Sequence, residues 1–185
     1  LNDNDIDEPN VNNLLYEQSR ADNSFQIITC RNINDLISID GLTIRSGNAN
    51  NTSNPYGGGL YNYYSDLQIS NCKFIENSAL KGGGICNYNG HPVYINCKLI
   101  NNMADIFGGG IYNYRSTGTI TNCTLSGNAS TYGGGIYEDD SDTKVSKCTF
   151  SSNIAQYFGG GIYNTSNYEI SDCNFTENIA EISGG

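Results

Sequence analysis

Seven cysteines, two clusters of carboxylates, one histidine and a row of regularly spaced tyrosines are the side chains through which metal binding, catalysis or recognition would pass in this sequence. Cys72, Cys97, Cys123, Cys148 and Cys173 follow one another at intervals of 25, 26, 25 and 25 residues. A zinc site needs about four thiolates converging on one point. Equal spacing in a repeat instead sets thiols in a file with no cation to compensate them. Disulfides within such a file meet a second obstacle, because parallel Cβ vectors keep neighbouring Cβ atoms at or beyond the limit the bond accepts. These five cysteines are therefore expected to be reduced, metal-free and buried as small hydrophobes. Cys86 occupies a tyrosine position and is expected to be accessible, whereas Cys30 lies outside the repeat phase without an assigned role.

The carboxylates raise the question of calcium. Asp3, Asp5 and Asp7 alternate along the chain, and Glu138, Asp139, Asp140 and Asp142 crowd into one turn. A hard cation takes six to eight oxygens, and neither group matches the twelve-residue loop with its closing Glu. Both are candidate Ca²⁺ sites, with plain solvated turns as the competing reading, and no other cofactor is implied. Glu138 stands where other repeats carry Asn62, Asn87, Asn113 and Asn164. For catalysis, a Ca²⁺-assisted lyase needs a basic residue beside a carboxylate cluster, for which only Arg115 and Lys144 flank the acidic turn. A glycosidase needs paired cleft carboxylates. His91 precedes Pro92 in a turn, and no G-x-S-x-G context surrounds a serine. No catalytic set emerges. Tyr61, Tyr112, Tyr137 and Tyr163 form a candidate surface aromatic stripe, able to stack on sugar rings or to pack among themselves.

These residues are positioned by a repeat. Gly triplets begin at 57, 82, 108, 133 and 159, with a partial sixth at 184, so two residue types share one period of about 25. Three residues before the cysteines stand Ile69, Tyr94, Ile120, Val145 and Ile170, and two after them Phe74, Leu99, Leu125, Phe150 and Phe175. Both sets read as inward-facing, with Ile95 a possible substitute for Tyr94 if VYIN slips by one residue. Asn77, Asn102, Asn128, Asn153 and Asn178 mark a bend five residues after each cysteine. After each triplet, Leu60, Ile85, Ile111, Ile136 and Ile162 face in, and the tyrosine positions face out.

Gly triplets cost about 1 kcal/mol per residue inside a helix, no 3.6-residue period is present, and propeller blades need longer repeats. The expected fold is all-β: a single-stranded parallel β-helix in which coils stack at about 4.8 Å and asparagine amides can bond along a ladder. Ile39, Leu42 and Ile44 match Ile69, Cys72 and Phe74, so a coil precedes the first triplet, and Phe25 to Cys30 supplies a strand before it. Residues 1–35 are read as a polar excursion and first partial coil, 36–185 as repeats truncated at both ends, all in one domain. With 9 Lys and Arg against 19 Asp and Glu, the net charge of −10 opposes nucleic acid, and no apolar run is long enough for membrane insertion as a helix.

FIEN at 74–77, FSSN at 150–153 and FTEN at 175–178 alternate with GGGI in a way that resembles the Phe-x-x-Asn and Gly-Gly-Ala-Ile repeats of the chlamydial polymorphic membrane proteins. GGGIYN at 108–113 and 159–164 and ISNCKF at 69–74 are similar to repeats of many secreted bacterial and archaeal β-helix proteins, over residues 36–185. The resemblance implies a right-handed, pectate-lyase-like solenoid, export, and a surface or adhesive role. Gly replaces the Ala of the chlamydial motif, and no outer-membrane barrel is present in the segment. The leading expectation is a secreted or cell-surface structural and adhesive module without catalysis. A filament subunit joined through open solenoid ends and a polysaccharide-binding or polysaccharide-cleaving β-helix are the alternatives. Expected partners are other copies, flanking coils of a longer chain, glycans or host and cell-surface proteins.

Overall fold

The computed structural model describes residues 26–50 and 53–184. Every regular element in them is a short strand, and the strands form four six-stranded parallel sheets. A coil is one circuit of the four. The second coil, for example, runs through Leu60–Tyr63, Leu67–Ser70, Lys73–Ile75 and Ser78–Lys81. Each strand pairs with its equivalents in the coils before and after, as in Ile39↔Ile69↔Tyr94↔Ile120 and Ile44↔Phe74↔Leu99↔Leu125. The expected register of the Ile69 and Phe74 ladders holds, register shifts fall in the fourth sheet before Phe107 and Tyr132, and the chain is a parallel β-helix.

Corners explain the punctuation of the sequence. The residue before each repeat cysteine is left-handed, with φ of 53° at Asn71, 55° at Asn96 and 54° at Asn122, and Asn tolerates this conformation better than most residues. The first Gly of each triplet is left-handed too, with φ between 59° and 68° at 57, 82, 108, 133 and 159. The second has no room for a side chain: a Cβ on Gly83 would lie 2.3 Å from the Met103 carbonyl oxygen. The triplet is thus a turn and a close backbone crossing in succession.

The bore is filled by ladders. Ile69, Tyr94, Ile120 and Val145 are buried in one, Phe74, Leu99, Leu125 and Phe150 in another. Tyr94 is 1% exposed and keeps its place, so Ile95 does not turn inward in its stead; its hydroxyl donates to Asn87 Oδ1 at 2.8 Å, which satisfies the one polar atom it brings into the core. At four of the bends the side chain of an asparagine, Asn77, Asn102, Asn128 or Asn153, is buried. Asn102 donates from its backbone N–H and from Nδ2 to Asn128 Oδ1, both at 3.0 Å, and from Nδ2 to the Phe74 carbonyl at 2.9 Å. Asn77, Asn128 and Asn153 repeat the pattern.

Three expectations change. Two strands per coil are legible in the sequence and four exist, because the segments after each bend carry small inward residues, Ala79, Ala104 and Ala155, and little hydrophobic contrast. Cys30 is in phase after all: Ile28–Arg31 pairs with Leu60–Tyr63, so Cys30 stacks on Asn62, and the longer first coil hides the period. Cys86 is fully buried, since its neighbours Tyr61 and Tyr112 lie in a covered cluster.

Candidate functional site

Along the first sheet, inward positions build a polar column within the apolar bore: Cys30, Asn62, Asn87, Asn113, Glu138 and Asn164 are in register. Asn87 Nδ2 donates to Asn113 Oδ1 at 2.6 Å, and Asn113 Nδ2 donates to Glu138 Oε1 at 2.7 Å. Thr143 Oγ1 donates to Glu138 Oε2 at 3.0 Å. Glu138 is fully buried, and burial drives its carboxyl up to about 8 against the opposing effect of its two donors, with Asp142 adding to the rise. Burial and then the Glu138 charge push up the nearby Tyr168, whose buried hydroxyl has no hydrogen-bond partner among the described residues.

The acidic turn therefore does not act as one group. Strand alternation sends Glu138 into the bore and Asp139 out, where Asp139 Oδ2 accepts from the Tyr112 hydroxyl at 3.0 Å. Asp140 pairs with Arg115 at 3.1 Å, and Lys144 turns to Glu169 at 3.0 Å. No three His, Cys, Asp or Glu side chains among the described residues are placed to hold a metal. Asp3, Asp5 and Asp7 lie outside the described residues.

The proposed tyrosine stripe is not a surface. Tyr61, Tyr112 and Tyr137 are 4%, 3% and 8% exposed, and Tyr163 is half-buried. They do point away from the bore, but Tyr56, Phe107, Tyr132 and Phe158, which precede the Gly triplets, fold over them, with Phe107 against Tyr137 at 4.6 Å and Phe158 against Tyr163 at 5.7 Å. Lys81 lies 5.2 Å from the Phe107 ring centre. Burial raises Tyr137 to about 12 and Tyr112 higher, the latter helped by Asp139.

The cysteine file is free of disulfides, and all but Cys173 are buried. Sulfurs accept backbone N–H bonds from the preceding coil, Cys97 to Cys123 at 3.3 Å and Cys123 to Cys148 at 3.4 Å. Hydrogen bonding with Cys123 lowers the Cys148 thiol, yet that residue is 1% exposed.

What reaches the surface lies over the turns leaving the first sheet, where the sequence named His91, Arg115, Asp142 and Lys144 without bringing them together. Tyr63, Tyr88 and Tyr114 form an outer stack, with ring centres 5.3 and 4.6 Å apart, and Tyr64, half exposed, sets its edge on Tyr63 at 4.6 Å. A cleft of about 470 Å³ opens beside them, lined by Ile33, Tyr64, Asp66, Asn89, His91 and Arg115. A shallower one of about 320 Å³ shares His91 and continues past Thr117 to Asp142 and Lys144. Asp66 Oδ1 accepts the His91 backbone N–H at 2.9 Å, and the His91 ring bonds to the hydroxyl of Thr117. The doubled Tyr63-Tyr64 and the lone His were the available signals.

No curated protein and no solved structure matches the chain. A family described as "Right handed beta helix region" matches residues 18–178. With four parallel sheets wound through the described residues, the chain belongs to the right-handed β-helix family.

Proposed function

We propose that the chain is a non-catalytic, extracellular or cell-surface module in which a rigid β-helix displays an adhesive outer surface. The supporting observation is the fate of its reactive side chains: cysteines, Glu138, the bend asparagines and the tyrosines of the first sheet are each engaged by the coil above or below. Their chemistry serves stacking. Burial of the thiols suits an oxidising setting, because access limits their reaction. Binding is proposed to need no Ca²⁺. The test coats beads with the chain and measures retention on cell-surface glycoproteins and glycans, with and without a chelator. Saturable retention that survives chelation is expected. Loss of retention on chelation would overturn calcium independence, and the absence of any retention would overturn the adhesive reading.

A further inference from the structure

We propose that the outer tyrosine stack over the first sheet is an oxidative modification site, at which Tyr88 and Tyr114 are joined through their ortho carbons into a dityrosine that links two neighbouring coils. The inference goes beyond the adhesive reading and does not rest on it.

Register brings the two phenols together. Tyr63, Tyr88 and Tyr114 follow one another along the first sheet, with Arg31 before them and Asp139 after, so the row holds three rings. Parallel strands set equivalent Cα atoms about 4.8 Å apart, and the side chains of one ladder leave the sheet in the same direction. The Tyr88 and Tyr114 ring centres are 4.6 Å apart, at an interplanar angle of 35°. Tyr63 stands farther from Tyr88, at 5.3 Å. Tyr64 is as near to Tyr63, but it meets that ring edge-on at 70°, so the two faces do not oppose one another. After burial, the Tyr114 phenol does most to push the Tyr88 hydroxyl up, the two oxygens being neighbours. The ortho carbons flank those oxygens and therefore face each other as well.

That approach suits radical coupling. A one-electron oxidant acting at the surface takes one electron from each phenol, and each hydroxyl releases its proton to water. The spin of a neutral phenoxyl radical is spread over its oxygen and its ortho and para carbons, and the para carbon already carries the side chain. Two such radicals couple ortho to ortho with their faces opposed, because the new carbon–carbon bond stands out of each ring plane. Each ortho carbon then gives up its hydrogen as a proton and its own oxygen takes one up, which restores both phenols. The chain loses two hydrogen atoms in all, and two equivalents of oxidant are reduced. Arg115 lies over the Tyr114 ring at 5.1 Å, where its charge disfavours a radical cation and so favours proton loss. Tyr88 and Tyr114 are half-buried and open to an electron acceptor, whereas Tyr61, Tyr112 and Tyr137 are buried.

The test oxidises the dilute full chain with photogenerated tris(bipyridine)ruthenium(III), persulfate serving as the terminal acceptor, in buffer and in urea. Dityrosine fluorescence, intact mass and tryptic peptides are followed. Cleavage after Lys81, Lys98 and Arg115 puts Tyr88 and Tyr114 on separate peptides, both apart from Tyr63 and Tyr64. The expected product is a monomer lighter by two hydrogen atoms, in which peptides 82–98 and 99–115 are joined. Urea should abolish this pairing. Tyr88→Phe and Tyr114→Phe keep the rings and should each lose the product, whereas Tyr64→Phe should retain it, with each fold checked by circular dichroism. Dityrosine formed only between copies, a product joined through Tyr63 in place of Tyr114, no dityrosine, or an equal yield in urea would each overturn the assignment.

Discussion

Glu138 is the residue whose setting departs furthest from its chemistry in water. It replaces an asparagine in a buried amide column, and its carboxyl is held near 8 rather than the ordinary 4.5. The folded state therefore binds more protons than the unfolded state between these values, and stability must fall as pH rises through that window, by at most about 1.4 kcal/mol per pH unit. The contribution is fully present below about 4.5 and lost by about 8. Glu138→Gln keeps an acceptor for Asn113 and removes the titration. Urea midpoints at pH 5 and pH 8 should differ less in the variant than in the parent, and an equal fall in both would show that Glu138 is not the source. The thiols supply a second residue-scale test. Cys173, in the last described coil, should label first in the native protein, and Cys86 and Cys123 only on unfolding. Rapid native labelling of Cys86 would contradict its burial.

At the scale of elements, the strands are too short to persist alone, and ladders between coils hold them. Asn102 connects three coils, accepting from Asn77 and donating to Asn128 and to the Phe74 carbonyl. Asn102→Ala would leave several buried groups unpaired at about 1–3 kcal/mol each. Asn178, at the same place in the last described coil, is only part-buried, so Asn178→Ala should cost clearly less. Equal losses in chemical denaturation would mean that the amide ladder is not what fixes the bend. Elements also mark where sequence reading stopped. The Ile69 and Phe74 ladders could be read because bulky apolar residues recur at fixed offsets from the repeat cysteines. Strands with alanine facing inward carry no such contrast. The outward tyrosines were located correctly in direction but not in exposure, since the aromatic residues that cover them come from the strand before the triplet, and their closeness depends on a turn whose path spacing alone does not reveal. The cleft was illegible for the same reason: Tyr64, His91 and Arg115 are scattered in sequence and meet only once the coils are wound.

For the whole molecule, regularity has two consequences. A solenoid's stability is the sum of neighbouring contacts, so a coil with one neighbour is the weak point. Regularity also determines where chemistry can occur, because interior side chains answer to stacking and only the turns are free to vary. The central claim, a scaffold that binds at its surface without turnover, is met most directly by incubating the chain with neutral and acidic polysaccharides, with and without Ca²⁺, and following both bound material and products by chromatography. Retention of polysaccharide without new reducing ends or unsaturated sugars is the predicted result, and the appearance of either product would contradict it.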